Sequence, residues 1–127
     1  MPSTYTYNKP EKLKSRKKLN EIFTKGKSFP VFPVKVFYVI GEANEHSVKT
    51  GVGVSTRNFK KAVDRNRIKR LLRECYRLNK TTLHEAVSKK QKSISVFFLY
   101  VGKELPDFEM LTGKMKTALT KLEQNLD

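Results

Sequence analysis

The run from Lys60 to Lys80 constrains the fold more than any other part of the chain. Wound at about 100° per residue, its charged and apolar residues separate. Ile68, Leu71, Leu72, Cys75 and Leu78 fall in one arc, and Arg65, Lys69, Arg70, Arg73, Arg77 and Lys80 fill the other side. Such a helix needs an apolar layer over one face and leaves a ridge of one-sign charge on the other. Between Arg57 and Lys80, ten basic residues stand against two acidic ones, a net +8 out of the formal +15 of the whole chain. Like charges three and four residues apart repel along a helix, a cost that a phosphate backbone would relieve. Lys9 to Lys27 holds a second block, with eight basic and two acidic residues.

The cover for the helix comes from strands. Ser28 to Ile40 is rich in β-branched and aromatic residues, but Pro30 and Pro33 interrupt it, and proline cannot donate to a sheet ladder. The pattern predicts a short edge strand and then a longer one. Gly41 to Ser47 reads as a turn and Val48 to Ser55 as a third strand, in which Gly51 and Gly53 leave a strip of backbone bare. These strands are expected to be antiparallel. After a loop near Thr56 to Lys61 the helix runs from about Ala62 to Lys80, with a helical extension through His84 to Val87. Ser93 to Val101 is apolar on both faces, Ile94, Val96, Phe98 and Tyr100 against Phe97, Leu99 and Val101, which predicts an interior strand. Asp107 is placed to cap a last helix with the stripe Phe108, Leu111, Met115, Ala118, Leu119 and Leu122. At the other end, Ser15 is placed to cap a short first helix carrying Leu19, Ile22 and Phe23, which stops at Gly26. Met1 to Pro10 is polar and aperiodic and is expected to be mobile without RNA, leaving one domain over residues 11–127. The expected class is α+β, with one sheet and three principal helices.

Charge of this size calls for a polyanion, and nucleic acid and an anionic membrane both qualify. The longest apolar stretches, Val36 to Ile40 and Ser93 to Val101, are far short of a membrane span, and the N-terminus lacks the apolar core of a signal peptide. A cytoplasmic location without membrane contact is therefore expected. The single cysteine, Cys75, cannot pair within the chain, and His46 and His84 form no metal motif with it. They read as a buried thiol and two surface or loop imidazoles. The twelve acidic residues are scattered, which disfavours a protein-only metallonuclease. A ribosomal protein or general RNA chaperone shares the size and charge and stays open on composition alone. Arginine dominates the ridge, and guanidinium grips phosphate bidentately or stacks on a base. Asn66, within the basic arc, offers both donor and acceptor to a ribose hydroxyl, a base edge or a metal-bound water.

The run Lys61-Ala62-Val63-Asp64-Arg65-Asn66-Arg67-Ile68-Lys69-Arg70-Leu71-Leu72-Arg73-Glu74 closely resembles the Arg-Asn-Arg signature of the bacterial ribonuclease P protein component. The resemblance extends through Leu19 to Gly26, Thr50 to Ser55, the hydrophobic strand and the final helix, covering roughly Lys12 to Leu122. It implies the order αβββαβα on a four-stranded sheet with a left-handed crossover, opposite to the usual hand. It also implies a function: the protein assists a catalytic RNA that removes the 5′ leader of precursor tRNA. Carried over by motif position, Arg65, Asn66, Arg67, Lys69, Arg70 and Arg73 would contact the ribonuclease P RNA, while Asp64 and Glu74 are not metal ligands.

The single-stranded leader would lie between the first helix and the sheet, against Phe23 and Tyr38, with Lys12, Lys14, Arg16, Lys35 and Arg57 attracting its phosphates. Stacking on an unpaired base gains about 1–3 kcal/mol and tolerates any base, as a protein serving many precursors requires. Of the two aromatics, Phe23 is expected to be more nearly core. Leu19 stands where many relatives have an aromatic, and Pro30 and Pro33 alter the approach to the cleft. The implied cofactor is Mg2+ held by phosphates of the RNA subunit and substrate, with no catalytic or metal-binding residue in the protein. The implied partners are ribonuclease P RNA, one per protein chain, and precursor tRNA.

Overall fold

The computed structural model describes residues 22–42 and 48–126. The segment 1–10, the Ser15 cap, Leu19, His46 and the cations Lys12, Lys14 and Arg16 lie outside the described residues. Helical residues 22–25, here α1, lead into β1 (Lys27–Val31), β2 (Val34–Glu42), β3 (Val48–Val54), α2 (Ala62–Asn79), α3 (Thr81–Lys90), β4 (Lys92–Tyr100) and α4 (Phe108–Gln124). The class is α+β as expected, with one more helix: the extension after Lys80 is a separate helix, and Gln91 ends it in the left-handed conformation, its N–H donating to Val87 and Ser88 carbonyls.

Strand order is β1-β2-β4-β3. β1 and β2 form a hairpin closed by Phe32-Pro33, with Val31 opposite Val34. β2 pairs antiparallel with β4, Phe37 facing Phe97, whereas β3 pairs with β4 in parallel, Gly51 facing Phe97. The all-antiparallel expectation for the first three strands is thereby corrected. β4, apolar on both faces, takes the interior position between β2 and β3, so β3 never meets β2. The crossover runs from β3 through α2 and α3 to β4.

The helices α2, α3 and α4 cover one face of this sheet. Alternation directs Val34, Val36 and Tyr38 of β2, Ile94, Val96, Phe98 and Tyr100 of β4, and Val48 and Val54 of β3 into the core beneath them. α2 packs against α4 and β3, and α3 against α4 and β4. α2 buries Ile68, Leu72, Cys75 and Tyr76, so the core stripe is turned toward Tyr76 and leaves Leu78 partly exposed, contrary to the arc expected from sequence. The Tyr76 hydroxyl shares a hydrogen bond of 2.9 Å with His84 Nε2, which satisfies the polar end of a buried ring. Lys80, expected on the cationic ridge, is only 4 % exposed, because the chain turns at this residue from α2 into α3. Asp107 caps α4 as expected, its carboxylate accepting from the Met110 N–H at 2.8 Å, and the stripe below it is buried except for Phe108.

Candidate nucleic-acid interface

The other face of the sheet carries the opposite parity of side chains. Three cross-strand rows make it up: Lys35-Leu99-Gly53, Phe37-Phe97-Gly51 and Val39-Ser95-Lys49. α1 lies on this face, since the Phe23 ring meets Phe37 edge-on at 5.0 Å between centroids and Phe97 at 5.3 Å. Each such aromatic pair contributes about 0.5–1.5 kcal/mol beyond its buried area. Phe23 is nonetheless 48 % exposed. The Lys35 ammonium stands 5.1 Å from the centre of the Phe37 ring, which places positive charge beside the aromatic surface.

Glycines let this surface form. A Cβ at Gly53 would sit 2.6 Å from Cζ of Phe97, so the bare backbone of β3 is what allows that ring to lie across the strand. At Gly26 a Cβ would collide with the Ile22 carbonyl and lie 2.8 Å from the Tyr38 carbonyl, so glycine is needed where α1 turns closely against β2.

Tyr38 is on the other side. With one residue between it and Val36 along β2, it points to the helical layer, is 6 % exposed, and meets Phe29 edge-on at 5.8 Å. The expectation that Phe23 is the more nearly buried of the two is reversed. Phe37 and Phe97 take the place on the open face for which Tyr38 was singled out. The equal parity of Gly51, Gly53, Phe97 and Phe37 in the register was the available signal, but it becomes readable only once β4 is known to lie between β2 and β3.

The ridge on α2 keeps most of its expected members in the solvent. Asn66, Arg67, Arg70 and Arg73 are exposed and Lys69 is half-buried. Arg65 is different. Its guanidinium donates to the carbonyls of Phe59 at 2.9 Å and Lys60 at 2.7 Å, which fastens the loop before α2 to the helix. Asn58 anchors the same loop to the end of β4, donating to the carbonyls of Val101 at 3.1 Å and Gly102 at 3.2 Å. Arg57, in this anchored loop, is exposed. Arg77 forms an ion pair with Glu74, and hydrogen bonding to that guanidinium holds the Glu74 carboxyl below its ordinary range. The effective cationic surface is therefore Arg67, Lys69, Arg70 and Arg73, with Arg65 shaping the approach to it.

The exposed Phe23 ring over half-buried Phe37 and Phe97 with a lysine beside them, and across the sheet a helix bearing exposed guanidinium groups, define a small α+β protein suited to single-stranded and phosphate-rich ligands. A model of the Ribonuclease P family matches residues 7–123. The chain is 38% identical to the ribonuclease P protein component of Porphyromonas gingivalis, over 98% of this chain and 92% of that one. It is 33% identical to the corresponding protein of Chlorobium phaeobacteroides, over 81% and 78%. The fold is similar to that of the Staphylococcus aureus RNase P protein, with a TM-score of 0.68 at 20% identity, covering 94% of this chain and all of that one. The chain belongs to the ribonuclease P protein component family.

Proposed function

We propose that the chain acts as the protein subunit of the ribonucleoprotein that removes the 5′ leader from precursor tRNA, binding one RNA subunit through α2 and the leader on the open sheet face. The observation that carries this reading is the trio Phe23, Phe37 and Phe97 on the sheet face opposite α2, α3 and α4, with Lys35 beside it. Aromatic faces accept any unpaired base, whereas the exposed guanidinium groups of Arg67, Arg70 and Arg73 suit the phosphates of a folded RNA. Magnesium is assigned to phosphates of the two RNAs. Among the described residues no group of three or more His, Cys, Asp or Glu side chains is gathered to hold an ion. Likewise, among them no helix is long and apolar enough to cross a membrane.

The test is cleavage of labelled precursor tRNA at low magnesium by the chain, by the cognate RNA subunit, and by both together. Cleavage by the mixture alone, leaving a 5′ phosphate on mature tRNA, is the expected result. A folded chain that gives the cognate RNA no stimulation would return it to the class of general RNA-binding modules. Phe37→Ala should reduce the preference for precursor over mature tRNA. An equal loss for both ligands would remove the leader from the open face.

A further inference from the structure

A hollow lies on the opposite side of the sheet, where the β1 edge meets the C-terminal end of α4. Its volume is about 610 Å³, and Lys27, Ser28, Phe29, Tyr38, Lys121, Gln124 and Asn125 line it. That size suits a small organic ligand, for which pockets run roughly 300–1,000 Å³. Its chemistry is one-sided: two ammonium groups, two hydroxyls, two primary amides and two aromatic rings, with no carboxylate among the described lining residues. Lys121 holds its ammonium 5.6 Å from the centre of the Phe29 ring, and Tyr38 supports that ring from the edge.

We infer that this hollow binds one nucleotide of single-stranded RNA, its phosphate between Lys27 and Lys121 and its base on the Phe29 ring. An exposed cation–π contact is weaker than base stacking on an aromatic, so the base displaces the ammonium from the ring and the ammonium turns to the phosphate. Gln124 and Asn125 supply paired donors and acceptors for a base edge. The negative end of α4 opposes an anion, but the carbonyls of Lys121 and Leu122 already accept from the Asn125 N–H. A smaller depression of about 170 Å³ shares Lys27 and Tyr38 and continues past Lys25 and Gly26 to Val39, which belongs to the open face. A strand of RNA on the aromatic cluster thus has a basic path around the end of β1 into the hollow.

The nucleotide comes either from the leader or from the RNA subunit, and the experiment separates them. The full chain is first titrated with single-stranded RNA of about 4 and about 12 nucleotides carrying 4-thiouridine, then irradiated and its crosslinks mapped. For the longer RNA we expect crosslinks within residues 27–29 or 121–125, and a roughly five- to tenfold loss of affinity in Lys121→Glu and a smaller loss in Lys121→Gln. Lys116→Glu, an equal change of charge on an exposed position of the same helix, should cost about twofold or less. Equal losses for Lys116→Glu and Lys121→Glu, or crosslinks confined to other segments, would overturn the inference. In the reconstituted complex the photoreactive base is placed in the leader or in the RNA subunit, and the one that crosslinks supplies the nucleotide. An active complex in which neither reaches the hollow also overturns it. If the chain binds RNA there but fails to stimulate cleavage, the hollow stands and the proposed function falls.

Discussion

Gly53 shows how one missing side chain shapes the site. Gly53→Ala forces the Phe97 ring off β3, and we expect about 1–3 kcal/mol of lost stability together with weaker binding of leader-bearing substrate. Thermal melting and a precursor-binding titration check both, and an unchanged variant would mean that the ring moves freely. The two arginines of the signature should separate in the same way. Arg67→Ala should leave the melting temperature in place and lower the salt slope of RNA binding by about 0.7–0.9. Arg65→Ala removes two hydrogen bonds to the loop before α2 and should lower the melting temperature as well. Cys75 supplies a pH signature. Burial pushes its thiol up to about 11 from an ordinary 9.0, opposed by a hydrogen bond with Thr112 and aided by Glu74. As pH rises from about 9 to about 11 the unfolded chain loses this proton first, so the unfolding free energy falls across that window. Tyr100, raised by burial and by Glu104, acts in the same direction above its ordinary 10.0. Denaturant unfolding at pH 7 to 11 should therefore show a shallower decline in Cys75→Ala, and an identical decline would place the proton elsewhere.

Among the elements, α4 was the most legible, because its cap and its buried stripe are both local. Asp107→Ala should cost about 0.5–2 kcal/mol in urea unfolding while leaving RNA affinity unchanged, since the cap lies at the opposite end of α4 from Lys121, Gln124 and Asn125. A change in affinity would tie the N-terminal end of α4 to the interface as well. For α2 the span and the charged ridge were legible, but not the rotation of its core stripe. Tyr76 is amphipathic, and its burial depends on His84 from α3 satisfying the hydroxyl, a partner no helical wheel contains. Lys80 counted as a ridge cation until the turn into α3 buried it. Similarly, β4 announced its interior position through two apolar faces, while β3 carried no mark of its parallel partner.

At the scale of the molecule, a formal charge of +15 sets the response to salt. Self-repulsion is strongest in dilute buffer, so the melting temperature of the chain alone should rise as salt is added up to about 0.15 M, where the Debye length falls to about 8 Å. RNA affinity should fall over the same range. A melting temperature indifferent to salt would mean that the basic blocks are too far apart to interact.

What the sequence alone determined is whatever repeats at short range: the helix of Ala62 to Asn79, the two-faced β4, the cap at Asp107, and the concentration of positive charge on one helix face. Alternation along a strand has two parities, and nothing local says which will be covered. The packing of α2 and α4 against one face made that choice, sending Tyr38 under the helices and leaving Phe37 and Phe97 half-buried on the other face with the exposed Phe23. Only the tertiary structure decided it, because burial of a sheet face is settled by elements distant in the chain.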